Sequence, residues 1–172
     1  MPETDKLFGM KKLLLLSTLL ASALAFTGCG GGDTTTETAK PAEPASTAKV
    51  IKVTGNDQMR FNITEIKVKA GETVRVQLTN IGQMPAQAMS HNFVVLNRAV
   101  TEEEFVAFAT AASQNPPTYL PAQSDLVLAH TKTLGPGASD TIEFTAPAAG
   151  TYEFLCTFPG HYALMRGKMI VE

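Results

Sequence analysis

Cys156-Thr157-Phe158-Pro159-Gly160-His161-Tyr162-Ala163-Leu164-Met165 lies between two runs that read as strands, Thr151 to Cys156 and Lys168 to Val171. The stretch sets a thiol, an imidazole and a thioether on one short loop. Pro159-Gly160 is a turn signal, so the chain can double back and aim His161 at the centre that Cys156 faces. Met165 follows four residues later, close enough to cap the same centre. A second imidazole would complete a set of two nitrogens and one sulfur. His91, in Met89-Ser90-His91-Asn92-Phe93, is the candidate, and it stands just ahead of another strand-like run.

These donor types narrow the metal. Cu(I) favours soft ligands and low coordination, whereas Cu(II) favours nitrogen-rich tetragonal sites. A His₂Cys plane with a distant Met suits both tolerably, so little rearranges when an electron moves. Structural zinc favours four strong ligands, often in Cys-x₂-Cys pairs, which the chain lacks. Catalytic zinc would want a carboxylate or a third His near the loop. A Cys–His nucleophile needs an accessible thiolate and an oxyanion site, but this loop offers a Met and an apolar rim. The remaining imidazole, His130 in Leu128-Ala129-His130-Thr131-Lys132, has no ligand companion at loop spacing and reads as a surface strand residue.

Outward from the loop, period-two patterns dominate. Val50 to Thr54, Asn62 to Val68, Thr73 to Thr79, Asn92 to Leu96, Leu126 to Thr131 and Asp140 to Phe144 join the two runs already named. Turn signals separate them at Ala70-Gly71-Glu72, Asn80-Ile81-Gly82, Gly135-Pro136-Gly137 and Pro147-Ala148-Ala149-Gly150. About eight short, evenly spaced strands predict an all-β fold, an antiparallel sandwich or barrel. One segment differs. Thr101-Glu102-Glu103-Glu104 has capping-box spacing and an acidic first turn, and Phe105, Phe108, Ala109 and Ala112 follow on one helical face. A short helix is therefore inserted, ending before Asn115-Pro116-Pro117, with its Phe stripe used for packing.

The 172 residues divide by composition. Met10-Lys11-Lys12, the apolar run Leu13 to Phe26 and then Thr27-Gly28-Cys29 describe a signal peptide over 1–29, and Met10 can serve as the start. The apolar run is short for a membrane span. Its end resembles a lipobox, with Phe26 where Leu is usual, which implies lipid on Cys29 and an exported protein held on the periplasmic side of a membrane. Residues 30–48, rich in Gly, Thr, Ala and Pro, cannot bury enough surface to offset their ordering entropy and read as a disordered tether. About nineteen such residues span typically ~25 Å. Residues 49–172 form the folded domain and carry ten Lys and Arg against eleven Asp and Glu, with no basic stripe, which argues against nucleic acid. Cys29 and Cys156 are the only cysteines. A lone thiol in an exported domain calls for a role such as ligation.

Cys156-Thr157-Phe158-Pro159-Gly160-His161, with Ala163-Leu164-Met165 and Gly167, resembles the copper loop of the azurins. Gly55-Asn56-Asp57-Gln58-Met59, Met89-Ser90-His91-Asn92 and Ala129-His130-Thr131-Lys132 resemble that family too, in the same order, and the tethered arrangement is similar to that of auracyanins. The resemblance implies a cupredoxin Greek-key β-sandwich holding one type 1 copper. By resemblance, His91, Cys156 and His161 are the equatorial ligands, Met165 a weak axial one and the Ser90 backbone carbonyl the opposite one. Asn92 ties the ligand loops together, the Phe158 N–H bonds the Cys156 sulfur, and Pro159 has no N–H to add another. An apolar docking patch of Met59, Met84, Ala88, Met89, Phe158, Pro159, Gly160, Ala163 and Leu164 surrounds His161 as the electron port.

The chain also departs from the azurins. The family disulfide cannot form, Asn80 replaces a pH-responsive His, Ser90 replaces Gly, and Tyr162 stands where a small residue is common. The expected function is electron transfer by a monomer between redox proteins such as c-type cytochromes or copper reductases and oxidases, without bond-making chemistry. The competing expectations are a copper carrier that delivers metal to another protein and a metal-free scaffold.

Overall fold

The computed structural model describes residues 48–122 and 124–172. The expected signal peptide over 1–29, its lipidation site Cys29 and all but the last residue of the expected tether lie outside them. Two sheets face each other. The first has strand order β2-β1-β4-β7, built from β1 (Lys49–Asn56), β2 (Arg60–Phe61), β4 (Thr73–Asn80) and β7 (Ser139–Thr145). The second has order β3-β9-β8-β5-β6, built from β3 (Glu65–Val68), β5 (Val94–Leu96), β6 (Val127–His130), β8 (Gly150–Leu155) and β9 (Arg166–Val171).

The sandwich expectation holds, with corrections. The strands number nine among the described residues, because a two-residue β2 precedes the run Asn62 to Val68, of which only Glu65–Val68 is strand. The sheets are mixed: β1 runs parallel to β4 (Val53 opposite Leu78) and β3 parallel to β9 (Ile66 opposite Met169). The chain leaves the first sheet after β2, pairs β3 in the second, and returns for β4. Period two records which face is buried and carries nothing about direction, so the parallel pairs were invisible in sequence.

Alternation sets the core. Val74, Val76 and Leu78 of β4 are buried in one core cluster with Val95, Phe154 and Met169 of the second sheet and with Phe93 just ahead of β5. Strand β5 has every residue buried because both its faces are covered. Phe93 and Val95 enter the sandwich, while Val94 and Leu96 lie under α2 (Glu102–Ser113). The capping box forms as its spacing predicts: Glu104 N–H donates to the Thr101 hydroxyl and Thr101 N–H to the Glu104 carboxylate. Phe105, Phe108, Ala109 and Ala112 are buried, so the Phe stripe is packing. A second, one-turn helix, α1 (Ala86–Met89), had no periodic signal at four residues.

Candidate metal centre

Cys156 follows β8 and Met165 precedes β9, so one hairpin connection carries both. The connection closes on itself: Cys156 N–H donates to the Met165 carbonyl at 2.9 Å and Met165 N–H to the His161 carbonyl at 2.8 Å. Gly160 sits at φ 80°, the left-handed region open to glycine, which lets the turn reverse. His161 N–H donates to the Phe158 carbonyl at 3.0 Å, and the imidazole Nδ1 comes to 3.7 Å from Cys156 Sγ.

His91 arrives from outside any strand. It forms an isolated bridge to Leu134, with His91 N–H to Leu134 O at 3.0 Å and Leu134 N–H to His91 O at 2.7 Å. Its Nε2–H donates to the Asn56 carbonyl at 3.1 Å, leaving Nδ1 as a bare lone pair. That Nδ1 is buried and has no hydrogen-bond partner among the described residues. Buried polar atoms are almost always satisfied, so an orphan demands an explanation.

A metal ion supplies one. His91, Cys156 and His161, all buried, each bring one donor atom to within 4.8 Å of the others. Met165 is fully buried, and its methyl group shares a cradle with the His91 ring: a Cβ added at Gly55 would stand 2.7 Å from Met165 Cε and 2.7 Å from His91 Cδ2. Gly55 is therefore the residue that leaves room for both. Two imidazoles, a thiol and an adjacent thioether fit copper.

Electrostatics prepare the donors differently. Burial pushes the His161 imidazole down to about 4, helped by neighbouring His91, and burial lowers His91 as well. Both rings are thus neutral and able to donate at neutral pH. Burial pushes the Cys156 thiol up to about 12, against the pull of two backbone N–H groups, Asn92 and Phe158, that donate to its sulfur. The bare site keeps a thiol, and metal must displace its proton. Phe158 belongs to the loop that carries Cys156, whereas Asn92 comes from the distant His91 segment.

Asn92 also joins the two ligand segments through its side chain. Thr157 N–H donates to Asn92 Oδ1 at 2.8 Å and Asn92 Nδ2 donates to Thr157 Oγ1 at 2.8 Å. The Thr157 hydroxyl in turn donates to the Tyr119 carbonyl. Asn80, noted in sequence only as a replacement, is fully buried and donates to the carbonyls of Met89 (3.1 Å), just ahead of His91, and of Leu134 (3.0 Å), its bridge partner. The Ser90 hydroxyl is turned back to the Ala86 carbonyl at 2.7 Å. Gly55 and Thr157 were missed as site residues. Glycine inside a strand pattern was the available sign, since it marks close approach of another group.

The expected docking patch divides. Met84, at 42 % exposure, and Leu164, at 43 %, are open, and Ala88, Pro159, Gly160 and Ala163 are exposed too. Met59 is half-buried at φ 55°. Met89 (8 %) and Phe158 (5 %) are corrections: both are buried, Phe158 between the rings of Tyr119 and His161 at 4.9 and 4.8 Å. His130 lies exposed at the end of β6, away from the ligand set, as expected.

Comparison with known proteins agrees with this geometry. A family model described as copper binding proteins, plastocyanin/azurin family, matches residues 47–172. The chain belongs to the plastocyanin/azurin family of copper-binding proteins. It is 35 % identical to azurin of Pseudomonas chlororaphis over 126 residues, covering 71 % of this chain and 97 % of that one. It is 29 % identical to auracyanin-A of Chloroflexus aurantiacus over 161 residues, 94 % of this chain and 97 % of the relative. The structure of dithionite-reduced auracyanin from Roseiflexus castenholzii superposes with a TM-score of 0.65 at 37 % identity, covering 73 % of this chain and 98 % of the other. The cofactor of this cupredoxin is accordingly copper and its chemistry one-electron transfer.

Proposed function

We propose that this cupredoxin works as an exported, membrane-tethered electron shuttle, passing single electrons between redox proteins without making or breaking bonds in a substrate. The observation that carries the reading is the buried, unpartnered Nδ1 of His91 facing Cys156 and His161. Copper bound there would alternate between Cu(I) and Cu(II). His91, Cys156 and His161 would hold it, with Met165 and the Ser90 carbonyl as weaker donors. The sandwich around Cys156 excludes water, and the hydrogen bonds of Asn56, Asn92 and Thr157 keep the donors oriented in either state.

Met84, Ala88, Pro159, Ala163 and Leu164, the solvent-exposed part of the expected docking patch, would suit brief encounters with partners such as c-type cytochromes or copper reductases and oxidases. The similarity to auracyanin-A runs beyond the folded domain, which supports treating residues ahead of Lys49 as part of the working protein. With lipid on Cys29, the tether over 30–48 would hold a monomeric domain near membrane partners on the periplasmic side and raise their effective concentration.

Visible absorption of the 49–172 domain with one equivalent of Cu(II) tests the reading. An intense thiolate-to-copper band near about 600 nm that bleaches with ascorbate is expected. A pale tetragonal spectrum, or rapid loss of copper to a mild chelator, would overturn the shuttle in favour of a copper carrier. For the anchor, Cys29→Ser should move the full-length protein from the membrane to the soluble fraction. Unchanged membrane association would end that part of the proposal.

A further inference from the structure

The metal loop has a buried inner leg, Cys156 to Phe158, and an outer leg, Pro159 to Leu164, that is mostly exposed and closes through Leu164 N–H to the His161 carbonyl at 3.0 Å. Pro159, Gly160, Ala163 and Leu164 are exposed, whereas Tyr162 is half-buried and has a packing partner in the cluster under α2. That partner is Phe105 of α2, whose ring lies 6.3 Å from the Tyr162 ring at 64°. The same Phe105 ring carries the Arg166 guanidinium, with Cζ 3.7 Å from the ring centroid. Arg166 is the residue after Met165, the first of β9, and stands opposite Leu155 in the ladder. Its fork makes two bonds to one carboxylate of the first helical turn: Nη1 to Glu102 Oε1 at 2.8 Å and Nη2 to Glu102 Oε2 at 3.0 Å. Glu153 of β8 adds a second carboxylate at 3.8 Å from Nη2.

Exposed ion pairs ordinarily add little. This one joins a bidentate fork, a cation over a buried ring and an aromatic edge contact at one point, next to both ends of the ligand loop. The helix it grips is also buried against Leu155, one residue before Cys156.

We propose that Arg166 and Tyr162 are positioning residues: the helical insertion α2 clamps the outer leg of loop 156–165 and keeps His161 and Met165 set for the metal. The clamp deepens the copper reading by assigning the loop's rigidity to an element that contributes no ligand. Rigid support of a ligand set is what keeps its geometry when the metal changes charge.

The test compares Arg166→Met, Arg166→Lys and Tyr162→Ala with Leu164→Ala, an exposed change on the same loop outside the clamp. Two quantities are read: release of copper to excess chelator from the loaded protein, and amide hydrogen exchange in the metal-free protein at Met165, whose N–H is bonded to the His161 carbonyl, against Val76 in β4. Arg166→Met and Tyr162→Ala should each speed copper release and loop exchange by about tenfold while Val76 is unchanged. Arg166→Lys keeps the charge but lacks the planar fork, and should lie between Arg166→Met and the parent. If Arg166→Met does not fold, Glu102→Gln removes the ion pair from the exposed side and should raise loop exchange in the same way.

Rates equal to those of Leu164→Ala, or a rise at Val76 as large as that in the loop, would overturn the clamp. Failure of the unmodified protein to bind copper would instead overturn the metal reading, leaving the exchange comparison as an independent test of the clamp.

Discussion

The two segments that bring donors to the metal centre are built in opposite ways. Loop 156–165 is local: its Cys, His and Met lie within ten residues, and its own backbone bonds and one left-handed glycine shape it. The His91 side is assembled from distant chain. Its backbone is held by Leu134, its ring by the Asn56 carbonyl, the Met89 and Leu134 carbonyls beside it by Asn80, and its space by Gly55. A local loop can be recognised from spacing alone, whereas an assembled one becomes visible only when the sheets are in place. The difference also divides the labour, since the local loop supplies the sulfur chemistry and the assembled side fixes which lone pair points inward.

Mutations can separate the two sides. The largest effect belongs to the loop: Cys156→Ser removes the only thiol at the centre and should abolish the intense visible band completely, because the hydroxyl cannot replace thiolate-to-copper charge transfer. Retention of a blue band would mean the sulfur is not a ligand. On the assembled side, Gly55→Ala places a methyl 2.7 Å from both His91 and Met165, so those groups must move. It should destabilise the metal-free domain by about 1–3 kcal/mol and weaken copper binding. Chemical denaturation beside a copper titration would check this, and an unaltered affinity would show the cradle to be slack.

A pH effect comes next. In the metal-free protein His161 titrates near 4 when folded and near 6.5 when unfolded. The unfolded chain therefore takes up a proton that the folded one refuses. Stability is full above about pH 6.5 and is lost as pH falls from there toward 4, by on the order of 2–3 kcal/mol. His91 is shifted in the same direction. Denaturation midpoints of the metal-free protein between pH 4 and 7 test it, and His161→Gln should flatten much of the slope. Asn80→Ala should cost about 1–2 kcal/mol by removing the donor to two buried carbonyls. It should shift His91 more than the Cys156 loop in NMR spectra, and equal shifts on both sides would undo the division. Smallest of all, Leu164→Ala should change stability by no more than about 0.5 kcal/mol, because that side chain is exposed.

Much of this was legible because the signals are short-range. Strand-like runs of polar and apolar residues located eight of the strands, the Thr101–Glu104 spacing located α2, and donor chemistry singled out His91, Cys156 and His161. The misses share a cause. Burial of Met89 and Phe158, the parallel pairs, the Asn92 N–H at the sulfur and the Phe105 contacts of Tyr162 and Arg166 each depend on which distant segments meet. No residue in those segments announces its partner.

The sequence by itself determined the donor set, its copper preference and the two-faced strands that enclose it, because residue chemistry and period are properties of neighbours along the chain. Tertiary structure alone decided that His91 donates its Nε2–H to Asn56 and turns a bare Nδ1 toward Cys156 and His161. That choice rests on a carbonyl 35 residues away in the chain, and only the packed sandwich brings it within 3.1 Å.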